Sequence, residues 1–338
     1  MESIESVPTT TLCTASGKIL RTTPIYDLFW YFAAERQAIF MNRLAGSTMP
    51  WTNDPILQNF RFTNPYRASD RVSQYLIRHV LYEGSQDPVE IFFRTTLFRL
   101  FNKIETWEHL INTLGEIAYS EFDVPRFARL FNRMANLIGH IYSSAYILPS
   151  PNLGSHKKYV NHLRLIEMMI RDGAAFKIRS AESLNEVFLI IKGYPSLGDF
   201  LSFQLAIDLN YSTMLDFSED DFVMAGPGAK SGIDKCFLDL NGCDYAEVIK
   251  SVALSADKEF KKRNFDFKTL WGRKLQLIDF QNLFCEIDKY SRLSHPNICG
   301  SSTRKRIKHK YHVNGLPLPQ WYPPKWNIRV PRSYSVTH

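Results

Sequence analysis

The sequence predicts an all-α fold, and three observations predict it. Apolar residues recur at helical spacing through most of the 338 residues. Long alternating apolar and polar segments, of the kind that build large sheets, do not occur. Glycine-proline turns interrupt apolar stretches at Gly193 and at Gly226. With 45% hydrophobic residues, 14% of all residues aromatic, the chain can bury a large core, and 22% charged residues is too ordinary a fraction for a disordered polymer.

Taken in order, residues 1–22 read as a flexible, Ser/Thr-rich lead-in. Ile25, Leu28, Phe29, Phe32, Ile39, Phe40 and Leu44 then mark one strong helix that stops at Gly46. Pro50, Pro55 and Pro65 forbid a continuous helix in the next segment. Helices are expected over about 67–82, 86–102, 105–115 and 123–136, where Asp87-Pro88 and Asp123-Val124-Pro125 supply cap-and-proline starts. The loop 147–157 is a candidate boundary between two helical subdomains. Helices follow near 158–171 and 181–192, then the two turns, then helices near 244–261 and 276–291. Residues 23–295 form the helical domain in this reading. From 296 to 338 the chain becomes a basic and Pro/aromatic-rich arm, STRKRIKHKYH followed by LPLPQWYPPKW.

The net charge of +7 favours an anionic partner without choosing between nucleic acid, an anionic membrane surface, and no such partner at all. Five cysteines, Cys13, Cys236, Cys243, Cys285 and Cys299, form no CxxC pair and suit a reducing compartment. No ligands stand at metal spacing, so neither a metal nor a cofactor is expected. The N-terminus lacks the pattern of a signal peptide, and no apolar run reaches the roughly 20 residues that cross a bilayer. The expected location is intracellular with no membrane partner: the nucleus for a eukaryotic source, the host cytoplasm for a phage-encoded protein.

The turns give the first functional signal. In EVFLIIKGYPSLGDFLSFQLAIDLN an apolar helix ends at Lys192-Gly193 and another begins after Pro195. In DFVMAGPGAKSGIDKCF, Gly226-Pro227-Gly228 makes the turn and Lys230 follows. A helix-hairpin-helix exposes backbone N–H groups at the start of its second helix, and these hold a DNA phosphate without reading sequence. An ordinary helical corner favours the same residues. Asp208, at the end of the helix after the first turn, is a candidate carboxylate for stabilising positive charge or taking a proton; a helix-end aspartate is the plain alternative.

Two polar constellations stand beside the turns. Between Glu35 and Arg71 the chain concentrates Arg36, Arg43, Trp51, Asn64 and Arg67, suited to gripping phosphate and stacking an extruded base. In LIDFQNLFCEIDKYSR, Asp279, Asn282 and Glu286 share one helix face, with Lys289 a turn on. Asp279 and Glu286 are candidate acid–base groups and Lys289 a candidate DNA contact. The alternative is an amphipathic surface helix.

The blocks WYFAAERQAIFMNRL, PWTNDPILQNFRFTNPYRASDRVSQYLI, KGYPSLGDFLSFQLAIDLNYS, DFVMAGPGAKSGI and DFQNLFCEIDKYSR, spread over residues 27 to 292, resemble the helical domain of 5-hydroxymethyl-deoxyuridine DNA kinases and of alpha-glutamyl/putrescinyl-thymine pyrophosphorylases. The resemblance implies a helix-hairpin-helix DNA glycosylase-like fold, with two helical subdomains around a cleft. It implies DNA as partner and chemistry on a flipped, modified thymine or 5-hydroxymethyluracil. In that chemistry an amine, from a small amine or amino-acid co-substrate, replaces pyrophosphate, and a separate kinase of the same pathway supplies the phosphorylated base. Two departures narrow it. The sequence holds no GxxxxGK[ST], which speaks against kinase activity of this chain by itself. Leu197-Gly198-Asp199 offers no lysine for a lyase. A glycosylase removing a modified base, and a non-catalytic DNA-binding module, remain alternatives.

Overall fold

The computed structural model describes residues 10–312, 318–331 and 334. The protein is mainly helical, at 55% helix. The helices run α1 Pro24–Leu44, α2 Pro55–Asn59, α3 Arg71–Tyr75, α4 Pro88–Phe101, α5 Ile104–Leu114, α6 Val124–Ile138, α7 Lys158–Arg171, α8 Ala174–Arg179, α9 Leu184–Lys192, α10 Asp199–Tyr211, α11 Pro227–Cys236, α12 Tyr245–Lys262 and α13 Leu277–Ser294. The chain divides into two compact units. Unit 1 comprises Met1–Asp70, Phe222–Gln320 and Trp326–His338; unit 2 comprises Arg71–Asp221 and Trp321–Lys325. The expected boundary at 147–157 runs inside unit 2.

Unit 1 opens with an element the sequence reading misses. Thr11–Cys13 (β1) pairs antiparallel with Ile19–Arg21 (β2), with Leu12 opposite Leu20 and both buried. Three-residue strands leave too short an alternation to recognise, and Ser/Thr content disguised the pair as lead-in; residues 1–9 lie outside the described residues. The Thr23 hydroxyl caps α1 by accepting from Ile25 N at 3.1 Å, and Pro24 fills the first turn, where its missing N–H costs nothing. The helix is buried on most of its circumference: Phe29 stacks on Phe284 of α13 with centroids 4.6 Å apart, and Trp30 meets Phe260 of α12 edge-on at 4.9 Å.

Helices α11 and α13 are the most closely joined pair. A Cβ on Gly232 would overlap the Phe284 carbonyl oxygen, and one on Gly228 would overlap Cys285 Sγ. Glycine at i and i+4 thus leaves a flat strip against which the α13 backbone lies. The buried Lys235 ammonium crosses the contact to Asp288 at 2.9 Å and to Ser291 Oγ at 3.1 Å.

The second turn is therefore not the expected hairpin. Gly226 caps α11 with φ −72°, and no helix precedes it, since α10 ends at Tyr211 and residues 212–226 are non-helical. The physical reason for the break lies in unit 2, where the Asn210 side chain donates to Phe217 O and accepts from Phe217 N, both at 2.9 Å, and folds the chain into a loop. Gly228 serves helix packing rather than backbone approach to a phosphate.

Unit 2 is built around α10, buried from Ser202 to Tyr211, with α9 and α4 against it. Asp87 and Asp123 cap α4 and α6 as the sequence implies. The helix expected over 67–82 is interrupted: a 3-10 turn at Arg67–Ser69 stops at extended Asp70, and α3 runs into a π-helical stretch, Leu76–Leu81. In the expected tail, Lys325 belongs to this unit and its ammonium donates to Asn210 O and to Ser212 O at 2.9 Å, answering the carbonyl-rich end of α10.

Gly232→Ala is expected to destabilise the protein by about 1–3 kcal/mol, the usual range for overpacking. The check is the urea midpoint; an unchanged midpoint would refute the close α11–α13 contact.

Candidate functional site

Within unit 1, three segments bring the expected polar residues together. Helix α1 supplies Arg36 and, two turns on, Arg43. The chain after α2 leaves Phe60 in extended backbone and passes through Phe62, Thr63 and Asn64. Helix α13 supplies Asn282, Glu286 and Lys289, at the i, i+4, i+7 spacing that puts them on one face. Arg36 Nη2 donates to Asn64 Oδ1 at 2.6 Å. Asn64 N donates to Asp70 Oδ1 at 2.8 Å, and its amide donates to Ser69 O at 2.8 Å. Glu286 Oε2 accepts from Thr63 N at 3.0 Å and from the Lys289 ammonium at 2.8 Å. Asn282 donates to Thr63 Oγ1 at 3.0 Å. The Lys289 ammonium also sits 4.4 Å from the Phe62 ring centroid.

Arg43 lies over the Trp51 ring at 5.1 Å, and Trp51 donates from Nε1 to Ser47 O at 2.8 Å. Tyr311 meets Trp51 edge-on, with centroids 6.5 Å apart. The sequence reading placed Tyr311 in a surface arm. Its signal was present only as the basic run before it; backbone pairing of Arg61 N with His309 O and Tyr311 N with Asn59 O brings it to the site.

Burial shapes the charges here. It lowers the Arg36 guanidinium from its ordinary value to about 10, against the opposing attraction of Asp70. Burial likewise pushes the Asp70 carboxyl up to about 7 and that of Asp279 up to about 6. Asp279 is occupied structurally: it accepts from Gln276 N at 2.9 Å, closing the cap of its own helix, and from Arg67 N at 2.7 Å. Arg67 is itself buried at this junction, so it braces the 3-10 turn.

The remaining candidates of the first turn lie in unit 2. Asp208 is fully buried in α10, where Arg99 of α4 holds both carboxylate oxygens, Nη2 to Oδ1 at 2.7 Å and Nε to Oδ2; Arg99 Nη1 also donates to Asn102 Oδ1 at 2.6 Å. Lys192 pairs with Asp199 across the turn at 2.7 Å. Gly193 has right-handed helical φ −64°, and the positive φ the turn requires falls on Ser196 at 63°. Gly198 caps α10 without a side chain. At the second turn, Lys230 lies 5.5 Å from the Tyr245 ring centroid. Among the described residues no group of three or more His, Cys, Asp or Glu could hold a metal, and no helix is long and apolar enough to cross a membrane.

The family model for the helical domain of 5-hmdU DNA kinase matches residues 23–300. The chain belongs to this family. Among curated proteins it is similar to the 5-hmdU DNA kinase of Bacillus phage SP10, with 26% identity over 286 residues, 79% of this chain. The match covers 45% of that relative, so the chain spans about half the relative's length. No solved structure matches. Both constellations of this helical domain, on α1 with the segment after it and on α13, fall inside the matched range.

Two outcomes test this geometry. Asp208→Asn is expected to cost about 3–5 kcal/mol, because it leaves the Arg99 charge buried and under-compensated; a loss below 1 kcal/mol in chemical unfolding would contradict the assignment. Asp70 titrates higher folded than unfolded, so the folded state binds the extra proton and stability falls as pH rises from about 4 to about 7. Asp70→Asn keeps an acceptor for Asn64 N and removes the titration. The stability of the native protein minus that of this variant should therefore decline over that window, and a flat or rising difference would refute the raised value.

Proposed function

We propose that this helical domain binds DNA and acts on 5-hydroxymethyluracil or a derivative of it, serving base hypermodification by amine-for-pyrophosphate transfer. The observation that carries the reading is the convergence, inside the family's matched range, of Arg36, Asn64, Glu286 and Lys289 on one polar surface of unit 1. The name of the phage relative supplies 5-hmdU in DNA as the substrate class, and the host cytoplasm as the corresponding setting. Asn282, whose amide nitrogen is held by Thr63, offers its amide oxygen to a pyrimidine edge, and Trp51 an aromatic face beside Arg43. At α10 the first-turn Asp199 opposes an anion, although Lys192 offsets it.

In the transfer the amine nitrogen of a small amine or amino acid attacks the exocyclic methylene carbon. The carbon–oxygen bond breaks, pyrophosphate leaves with the bonding pair, and the amine gives up a proton. Glu286 is the carboxylate placed to attract the ammonium form and accept that proton. Lys289, 2.8 Å from it, balances the departing charge. Asp208 is excluded from this role in the proposal because Arg99 occupies both of its oxygens. The same fact disfavours excision by a glycosylase that relies on Asp208.

Incubation with duplex DNA bearing pyrophosphorylated 5-hydroxymethyluracil and an amine, followed by nucleoside mass spectrometry, tests the reaction. The expected product is an amine-substituted thymidine. Glu286→Gln should lower its rate by about 10²–10⁴-fold while salt-dependent DNA binding survives. Free base as product would replace the reading with excision, and binding without any product would leave a DNA-binding module.

A further inference from the structure

The buried polar atoms of unit 1 without a hydrogen-bond partner include Arg36 Nη1, Arg43 Nε and Tyr311 Oη. They come from α1, two turns apart, and from the C-terminal arm. A buried donor without an acceptor is costly, more so on a charged group, so native proteins rarely leave several at one place. Here the three belong to one neighbourhood. Arg43 and Tyr311 flank the same Trp51 ring, at 5.1 and 6.5 Å, and the Arg43 charge acts on Arg36. Arg36 is only 9% exposed, and its other terminal nitrogen is already bound to Asn64.

The adjacent carboxylates do not answer these donors. Glu286 Oε2 is engaged by Thr63 N and Lys289 and Asp70 Oδ1 by Asn64 N, and among the described residues no carboxylate oxygen lies within hydrogen-bond reach of the three atoms. What fits is an exogenous anion with several acceptor oxygens and more than one negative charge, because two guanidiniums and a phenol share the neighbourhood. We propose that Arg36, Arg43 and Tyr311 form a binding site for a phosphate dianion, either a phosphomonoester or a terminal phosphate of pyrophosphate. A carboxylate brings one negative charge against two guanidiniums, whereas the dianion brings two. The backbone pairing of residues 309–311 with 59–61 is what delivers the phenol, so the arm completes the site. The site deepens the proposed function, since it adjoins the Asn64 and Glu286 surface and gives the charged group of the modified base a place to sit.

The test uses the full chain, thermal unfolding, and sodium pyrophosphate at fixed ionic strength with sodium acetate as control. The native protein should gain melting temperature with pyrophosphate and not with acetate. Tyr311→Phe removes a hydroxyl that lacks a partner without the anion. The variant should therefore be at least as stable as the native protein in the absence of anion, yet bind pyrophosphate about tenfold more weakly. A purely structural tyrosine would give the opposite first result. Equal shifts in both proteins, an equal shift with acetate, or a variant that starts less stable would each overturn the site. An oligonucleotide bearing one 5-phosphomethyluracil, compared with its 5-hydroxymethyl counterpart, separates the two sources: preference for the former assigns the site to a DNA-borne phosphate, and equal binding to the free anion. Because pyrophosphate binding is measured without DNA or turnover, its failure is distinguishable from failure of the transfer reaction.

Discussion

Helices α11 and α13 approach so closely that any side chain at Gly232 would run into the α13 backbone. That contact fixes the height and rotation of α13, and the candidate site depends on both. One face of α13 turns toward α11 through Cys285, Asp288 and Ser291. The face carrying Asn282, Glu286 and Lys289 then meets the segment of Phe62, Thr63 and Asn64. Asp279 adds the second anchor: it closes its own helix cap and takes Arg67 N, joining the start of α13 to the end of that segment.

Buried charge is handled differently in different neighbourhoods. In unit 2 the Asp208 carboxylate is answered by Arg99 from two nitrogens, and that arginine by Asn102, so the ion pair is closed. In unit 1, Asp288 is likewise answered by Lys235 and by Arg292. The Arg36 neighbourhood is open by contrast, with donors in excess of acceptors. A fully paired network rigidifies, and one with donors left over retains affinity for a ligand that supplies acceptors.

Much of the helical order was legible because periodicity and caps are local. Helix α7 falls on the expected 158–171, and the Asp87 and Asp123 caps with proline in the first turn begin α4 and α6 where cap chemistry places them. The helix 67–82 was misread because its interruption depends on Asp70 being drawn to Asn64 N, six residues back in sequence and fixed in turn by Arg36. The turn at Gly226 was misread for a related reason. Glycine next to proline marks a break, and only the Asn210–Phe217 hydrogen bonds decide that what precedes it is loop. The grouping of Arg36, Arg43, Trp51, Asn64, Glu286 and Lys289 was drawn from two separate blocks. Their meeting on one surface follows from the packing of α1 on α13.

By itself the sequence determined the helical class, most helix starts and ends, and the residue types able to carry phosphate or proton chemistry, since these follow from neighbours a few positions apart. Tertiary structure decided which polar groups remain available. Asp208, an attractive carboxylate in sequence, is consumed by Arg99, 109 residues away. Tyr311, unremarked in a basic tail, becomes part of the site through backbone pairing with a segment some 250 residues earlier. Availability depends on how burial and hydrogen bonds are distributed over the whole fold, and a pattern of near neighbours carries no record of that.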